Sequence, residues 1–158
     1  HLQCIKSIIR CFNSQKNNIL FRFTIGSMDN KILQYWEPGA PSFGERFDSL
    51  QEAFDSGFNT SISCEPMLDA PNVAQLFDTL EPFVTHDIWI GKMNKIRSRV
   101  KIKTDIDEVM VKDIEQTQTD ENIIEIYEEL KGEPKVKWKD SIREVLNMPS
   151  DEKAGTTF

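Results

Sequence analysis

The sequence predicts an α/β protein built around parallel strands, and three observations support this fold class. Short runs of branched and aromatic residues, typical of buried strands, alternate with segments that repeat apolar residues at helical spacing. The links between these segments are short, as they are in βαβ units. The chain has 158 residues, a length that suits one domain.

Residues 1–94 contain the three predicted strands with helices between them. The first strand follows the polar stretch Asn13–Asn18 and ends at Gly26, and the third ends at Gly91. The predicted elements, in order, are a helix over 2–14, a strand over 19–25, a helix over 43–56, a strand over 59–65, a helix over 72–80 and a strand over 87–91.

The central helix of this part carries the clearest local signals. Ser42 is its predicted N-cap and Glu45 completes a capping box, in which the hydroxyl and the carboxylate each bind a backbone N–H group. Gly57 is the expected C-cap. Its apolar face repeats at helical spacing and consists of Phe43, Phe47, Leu50 and Phe54. We therefore expect these side chains, and not Arg46, to hold the helix in place.

Residues 95–158 are predicted to form a basic linker and an acidic helical extension, broken at Gly132 and Pro134. The helices expected there span 105–118, 121–131 and 138–146.

The strand count limits the architecture. Three strands can neither close a barrel nor form a comfortable sheet covered on both faces, and the chain begins at His1 inside a helical pattern. We therefore expect the C-terminal half of a larger α/β fold. An open doubly wound sheet fits these observations almost as well.

Charge and hydropathy narrow the function classes. The formal net charge of −7 argues against non-specific nucleic-acid binding by the domain as a whole. The local exception is the run Lys92–Lys103, with six cations and no acid, which is either a solvent-exposed segment or a contact for a phosphate backbone. Nothing resembles a signal peptide, and no apolar run approaches the roughly 20 residues of a membrane-spanning helix. We therefore expect a cytoplasmic protein without a membrane partner.

The three cysteines, Cys4, Cys11 and Cys64, are too scattered to form a metal-ligand pair such as CxxC. Cys4 and Cys11 lie seven residues apart in a helical pattern, so we expect both to be small buried apolar residues. Cys64 is expected in the core. An odd number of cysteines without a signal peptide indicates a reducing compartment.

Polar residues near the strand ends are the first candidates for a site, because parallel α/β folds place their sites at the carboxyl ends of strands. Period-two alternation puts Arg22 and Thr24 on one face of the first strand. It puts Ser61, Ser63 and Glu65 on one face of the second strand. We expect both faces to line the interior, and Glu65 is aimed stiffly because Pro66 follows it.

Arg46 is a further candidate because of its place in the first turn of the central helix. The helix dipole disfavours a cation there by roughly 0.3–1 kcal/mol. An anionic partner would offset this cost, and Glu37 across the loop or the carboxylate of a ligand could supply it.

These segments resemble one known family. The ordered set FRFTIGS, YWEPGAPSFGERFDSLQEAFDSGFNTSISCEPMLD and IWIGKMN is similar to the C-terminal half of radical S-adenosylmethionine (SAM) proteins, in the branch that includes spore photoproduct lyase. The resemblance covers Ile19 to Asn94, and the segment PKVKWKDSIREVL also looks like the closing segment of this group.

The resemblance implies the last three strands of a partial (β/α)6 TIM-type barrel that binds SAM and a [4Fe–4S] cluster. Reductive cleavage of SAM would yield a radical that abstracts hydrogen from a substrate the sequence does not identify. The resemblance implies that Thr24 contacts the ribose and that Arg46 binds the methionine carboxylate, with Glu37 orienting Arg46. It implies that Ser63 and Glu65 contact the cofactor or the substrate. Trp89 and Gly91 would lie beside the adenine.

The chain also departs from the family. The CxxxCxxC cluster motif is absent, and the three cysteines have the wrong spacing to replace it. We therefore expect the chain alone to be catalytically inactive and to need the N-terminal half of the barrel as its partner. Two alternatives stay open: a non-catalytic α/β interaction module with an acidic helical tail, and a glycosidase half-barrel in which Glu37 and Glu65 are the two carboxylates.

Overall fold

The computed structural model of the protein describes residues 2–149, and at its centre is one parallel sheet. The sheet has four strands in the order β1-β2-β3-β4, so neighbours in the sheet are also neighbours along the chain. The strands are β1 Leu20–Thr24, β2 Asn59–Cys64, β3 Ile88–Ile90 and β4 Val136–Trp138. The predicted α/β class is confirmed.

Residues 2–149 also form eight α-helices. They are α1 Leu2–Phe12, α2 Asn30–Trp36, α3 Phe43–Asp55, α4 Val73–Leu80, α5 Ile96–Arg99, α6 Asp105–Thr117, α7 Asp120–Leu130 and α8 Asp140–Arg143. Three 3-10 turns, at Asn13–Asn18, Ala70–Asn72 and Glu81–Phe83, complete the regular structure. None of the helices in this part of the chain is long and apolar enough to cross a membrane.

The main core lies between one face of the sheet and the helices that connect the strands. Ile62, Ile88 and Val136 lie side by side on this face in the strand register. They pack against the apolar faces of α3, α4 and α7, which contribute Leu50, Val73, Leu76, Phe77, Leu80, Ile123, Ile126 and Leu130. A second cluster, around Phe21 and Phe58, seats α1 against the same side. The helical connections therefore cover one face.

The other face carries a different set of side chains. The register aligns Thr24 with Ser63, Ser63 with Trp89, and Trp89 with Lys137. Residues paired in parallel strands point to the same face, and none of these four belongs to an apolar cluster of the described chain. Within residues 2–149 the apolar clusters that hold the helices against the sheet therefore involve the helical face, and this second face is the more polar one.

The fourth strand corrects the prediction for the tail. A helix was expected over 138–146, yet Val136–Trp138 pairs in parallel with β3 and only Asp140–Arg143 is helical in this region. Val136 and Trp138 are buried while Lys137 between them is exposed, the period of a strand. The sheet therefore has four strands, and the tail adds one of them.

The aromatic and proline-rich stretch 35–47 is shorter as a loop than the sequence indicated. Tyr35 and Trp36 end α2, a helix that was not predicted, and Phe43 already begins α3. The side chain of Asp29 starts α2 by accepting a bond from the Lys31 N–H group at 2.7 Å. Ser42 caps α3 as predicted, accepting from the Glu45 N–H group. The connecting loop is therefore 37–42.

Cys4 and Cys11 are exposed, and the prediction that they are buried is wrong. Helix α1 turns Ile5 and Ile9 toward the Phe21–Phe58 cluster, and the two cysteines lie about 100° or more around the helix from these residues. Cys64 is buried in the main core, as predicted.

Candidate functional site at the carboxyl edge of the sheet

The seven site residues predicted from the sequence lie at or beside the carboxyl edge of β1 to β3. Thr24, Ser63 and Trp89 occupy neighbouring positions in one row of the polar face. Glu65 and Gly91 follow two residues after Ser63 and Trp89, so they continue the same face beyond the strands. Alternation along β1 and β2 is confirmed, because Phe21, Ile62 and Cys64 are buried on the helical side.

Arg46 is the best-connected of the predicted residues. Its Nε donates to the Pro41 carbonyl at 2.9 Å, its Nη1 donates to the Thr24 carbonyl at 2.9 Å, and its Nη2 donates to Glu37 in an ion pair. Arg46 is buried, and its guanidinium has five N–H groups, of which these bonds use three. The loop 37–42 is thus fastened to the end of β1 and to α3 through one side chain.

A groove of about 590 Å³ runs along the unpaired edge of β1. Its walls come from both faces of that strand, from α1 and from the loop, and include Ile5, Phe21, Arg22, Phe23, Thr24, Glu37, Pro38, Arg46 and Ser49. Ile25 donates its N–H group to the Ser63 carbonyl of β2 at 3.1 Å. Because successive residues of a strand direct their backbone groups to opposite sides, those of Arg22 and Thr24 face the groove.

The hydroxyl groups of the polar face divide into two kinds. Ser61 is fully buried, donates to the Asp87 carbonyl at 2.8 Å and accepts from Arg22 Nε at 3.2 Å, so its role is structural. The hydroxyls of Thr24 and Ser63 make no hydrogen bond within residues 2–149. These two hydroxyls are the ones that a ligand on this face could use.

Sequence reasoning missed Lys139, which completes the other end of the edge. Lys139 Nζ lies 2.9 Å from Glu65 Oε2 and 5.2 Å from the centre of the Trp89 ring. β3 lies between the strands that carry Lys139 and Glu65, so the two side chains meet across its end. Gly91 makes this possible, because a Cβ atom there would lie 3.0 Å from both Glu65 Cγ and Lys139 Cβ. Lys139 continues the alternation of Lys137 and Trp138 past the end of β4, a pattern too short to indicate a strand without the pairing to β3.

Trp89 lies beneath this ion pair and is buried, with 8% of its surface exposed. Its Nε1 atom is the one buried side-chain nitrogen or oxygen in the described residues without a hydrogen-bond partner. An unpaired donor in a buried place is costly and is one mark of a binding site.

The cysteines do not fit an iron–sulfur cluster. Burial raises the pKa of the Cys64 thiol to about 12, so it stays protonated in the core, whereas Cys4 and Cys11 are exposed on α1. Residues 2–149 contain no group of three His, Cys, Asp or Glu side chains that could hold a metal ion.

Comparisons of this chain with protein-family models, with curated proteins and with solved structures found no match. The function therefore has to be argued from the carboxyl edge and its side chains.

Proposed function

We propose that this chain is the SAM-binding part of a radical SAM enzyme. The observation that supports it is the row Thr24, Ser63 and Trp89 on the face without helices, continued by Glu65 and Gly91 at the carboxyl edge. Two free hydroxyls, a carboxylate and an indole then lie within a few strand spacings of about 4.8 Å, which suits a ligand that has a ribose, an amino acid and an adenine.

The strand order favours a partial (β/α)6 barrel over a doubly wound sheet. In a doubly wound sheet the order reverses at a switch point and helices cover both faces. Here the order follows the chain, and the core helices α3, α4 and α7 pack on one face. When sequential parallel strands are joined by connections of the same hand, the connecting helices all lie on one face of the sheet. Such a sheet can curl into a barrel whose other face lines the interior.

Each residue at the edge has a role in this proposal. The hydroxyls of Thr24 and Ser63 bind the ribose or the amino-acid group, and Glu65 accepts from a ligand N–H or O–H group. Gly91 lets the ligand approach the backbone closely, and Trp89 gives an apolar wall. Glu37 orients Arg46, whose two remaining N–H groups are available to the methionine carboxylate.

The groove beside β1 is the place for a further strand in this proposal. The backbone groups of Arg22 face it without a partner strand, and unpaired edges recruit other strands. The partner that supplies this strand would carry the ligands of the [4Fe–4S] cluster. With the cluster bound, SAM would supply the radical that abstracts a hydrogen atom from a substrate.

The Arg22→Pro variant tests the edge. The N–H group that proline removes faces the groove, not β2, so the sheet tolerates the change. We expect the wild-type chain to self-associate as its concentration rises in analytical ultracentrifugation, and the variant to remain monomeric. A wild-type chain that stays monomeric at every concentration would contradict strand pairing at this edge.

Calorimetric titration with SAM tests the proposed function itself. We expect saturable binding by the wild type, and a loss of about 2- to 10-fold for Thr24→Val or Ser63→Ala, the value of one neutral hydrogen bond. Ser7→Ala, on the exposed side of α1, is the matched control and should bind like the wild type. A folded chain that binds no SAM, or hydroxyl variants that bind as tightly as the control, would refute the proposal.

A further inference from the structure

A second cavity, of about 260 Å³, lies at the carboxyl edge beyond β2 and β3. It is lined by Glu65 and Pro66 after β2, and by Lys92, Met93, Asn94 and Arg99 from the segment that follows β3. The cavity is therefore where the basic run Lys92–Lys103 meets the polar face of the sheet.

The charges around this cavity do not cancel. Glu65, its one acidic wall, is already paired with Lys139, which lies outside the cavity. Lys92 Nζ lies 3.3 Å from Asp120 Oδ1, a carboxylate whose side chain is 71% exposed. Within residues 2–149 no carboxylate pairs with Arg99. With Glu65 neutralised, the cavity retains the positive charge of Arg99 and the amide donors of Asn94.

Arg97, two residues before Arg99, shows what a structural arginine in this segment looks like. Its Nε and Nη2 donate to Glu115 at 2.8 and 2.7 Å, and its Nη1 and Nη2 both donate to Glu108 at 3.2 Å. Arg97 therefore ties α5 to α6, whereas Arg99 is left for a ligand.

We propose that this cavity binds the phosphate group of a small phosphate monoester, with Arg99 and Asn94 as donors and Lys92 at its rim. The planar guanidinium of Arg99 can give two parallel N–H bonds to phosphate oxygens. Lys139 is a positioning residue in this site: it neutralises Glu65, which would otherwise repel the ligand. The site adjoins the proposed SAM site and shares Glu65 with it, but it does not depend on SAM binding.

The cavity suits one phosphate group better than a nucleic-acid backbone. Backbone binding uses a line of cations that matches successive phosphates. Here Arg97 is held by two carboxylates and Lys92 by one, and the chain has a net charge of −7. A volume of 260 Å³ holds a phosphate and a few further atoms.

Titration with ribose 5-phosphate, followed by calorimetry, tests the donors. The wild type should bind it saturably and should bind ribose far more weakly. Arg99→Gln should lose at least about tenfold in affinity, because the two charge-assisted hydrogen bonds to the phosphate are lost and water replaces them only in part at this exposed side chain. Lys137→Gln is the matched control, because it removes one cation from the same face of β4. Lys137 makes no ion pair with Glu65, so the variant should change the affinity for ribose 5-phosphate by less than about twofold. If Arg99→Gln and Lys137→Gln lost the same affinity, ribose 5-phosphate would be attracted by the general positive charge of this surface. The proposed phosphate site would then be refuted.

A double-variant comparison tests the role of Lys139. Lys139→Gln should weaken ribose 5-phosphate binding about tenfold, because it leaves the charge of Glu65 beside the phosphate. Adding Glu65→Gln should restore the wild-type affinity, since no unpaired charge then remains. A purely structural loss would not be rescued in this way, and melting curves would reveal it. Failure of the rescue in a folded double variant overturns the positioning role.

A single-stranded oligonucleotide separates the two sources of phosphate. It should bind no more tightly than ribose 5-phosphate, with the salt dependence of a single phosphate contact. Tight binding with a salt slope of several contacts would show that the basic run follows a backbone and would overturn the proposal. SAM binding is measured separately in the proposed-function titration, so failure of one proposal is distinguishable from failure of the other.

Discussion

Two ion pairs lie at the same edge of the sheet, and the structure uses them differently. Glu37–Arg46 stands at the β1 end, with the two side chains 27% and 10% exposed. Glu65–Lys139 stands at the β2–β4 end, with side chains 38% and 20% exposed. The Arg46 side chain also bonds two backbone carbonyls, while the Lys139 side chain lies against the Glu65 carboxylate and the Trp89 ring and, within residues 2–149, bonds no backbone carbonyl. The first pair is built into the backbone and the second is not.

The difference shows which charges are available for function. Removing one member of a mostly buried pair with further hydrogen bonds costs much stability, because water replaces the lost bonds of the remaining groups only in part. A half-exposed pair contributes little and is exchanged easily for a ligand. Glu37–Arg46 therefore acts first as a brace of the loop 37–42, and Glu65–Lys139 can open toward a ligand.

The largest expected effect is that of Arg46→Ala. The variant leaves the Thr24 and Pro41 carbonyls and the Glu37 carboxylate without their donor, so we expect it to destabilise the fold by about 2 to 4 kcal/mol. This lies toward the low end for buried pairs, since Glu37 is partly exposed. Denaturant unfolding measures the change.

The control for Arg46 is Lys131→Ala, which removes a surface pair with Glu128 in the same chain. We expect a change close to the error of the measurement there, because an exposed ion pair contributes little to stability. If Arg46→Ala were as mild as this control, the brace would be refuted and the guanidinium would be reserved for a ligand. The sequence-based expectation, that the apolar face alone holds α3, would then stand.

The sequence predicts β1 to β3 and their two faces because those strands carry their own signals. Period-two alternation places Thr24 on one face of β1, and Ser63 and Glu65 on one face of β2. The alignment of Thr24 with Ser63 comes from the register of the folded sheet. The burial of Arg46 is harder to predict from the sequence, because it depends on hydrogen bonds to the Thr24 and Pro41 carbonyls that exist only in the folded chain.

The missed features depend on contacts between distant parts of the chain. Three residues, Val136–Trp138, are too few to signal a strand by themselves, and β4 exists because the edge of β3 pairs with them. Lys139 could not be assigned to the site without that pairing. Cys4 and Cys11 were misplaced because seven-residue spacing fixes a helix side but not which side faces the core.

A second, smaller effect is expected from Gly91→Ala. The new Cβ would lie 3.0 Å from Glu65 Cγ and from Lys139 Cβ, so one of these side chains has to shift by a few tenths of an ångström, which strains the ion pair. We expect destabilisation of about 1 kcal/mol, because the partly exposed Glu65 can move at a modest cost. Unfolding curves measure the change, and ribose 5-phosphate titration reports whether Glu65 still pairs with Lys139.

Gly132→Ala is the matched control for Gly91, since a Cβ at position 132 meets nothing within 4 Å. We expect it to be neutral or to stabilise the chain by up to about 1 kcal/mol, by restricting the unfolded state. Similar unfolding free energies for the two alanine variants would mean that Glu65 and Lys139 do not crowd Gly91. The close meeting of Glu65 and Lys139 over Gly91 would then be refuted.

The smallest effect concerns the hydrogen bond between Tyr35 and Asp107, which joins α2, the helix after β1, to α6, a helix after β3. The Tyr35 hydroxyl of α2 donates to Asp107 Oδ1 of α6 at 2.6 Å. Burial and the nearby carboxylate raise the pKa of Tyr35 from 10.0 to about 12, while the same bond, with further backbone N–H donors, lowers the pKa of Asp107 from 3.8 to about 2. The contribution of Asp107 to stability is present above pH 3.8 and is lost as the pH falls toward 2. That of Tyr35 is present below pH 10 and is lost as the pH rises toward 12.

Phenolate absorbance during an alkaline titration tests this contact directly. The chain has two tyrosines, so the folded wild type should show a separate transition near pH 12 for Tyr35, and Tyr35→Phe should remove that transition alone. Circular dichroism at each pH is the control, because a chain that unfolds first exposes both tyrosines together. Tyr127 on α7 makes no bond to Asp107, so Tyr127→Phe should leave the late transition in place. If the late transition survives Tyr35→Phe in a folded chain, Tyr35 does not bind Asp107, and the link between α2 and α6 rests on the packing of Trp36 against the apolar cluster that contains Val111 and Ile114.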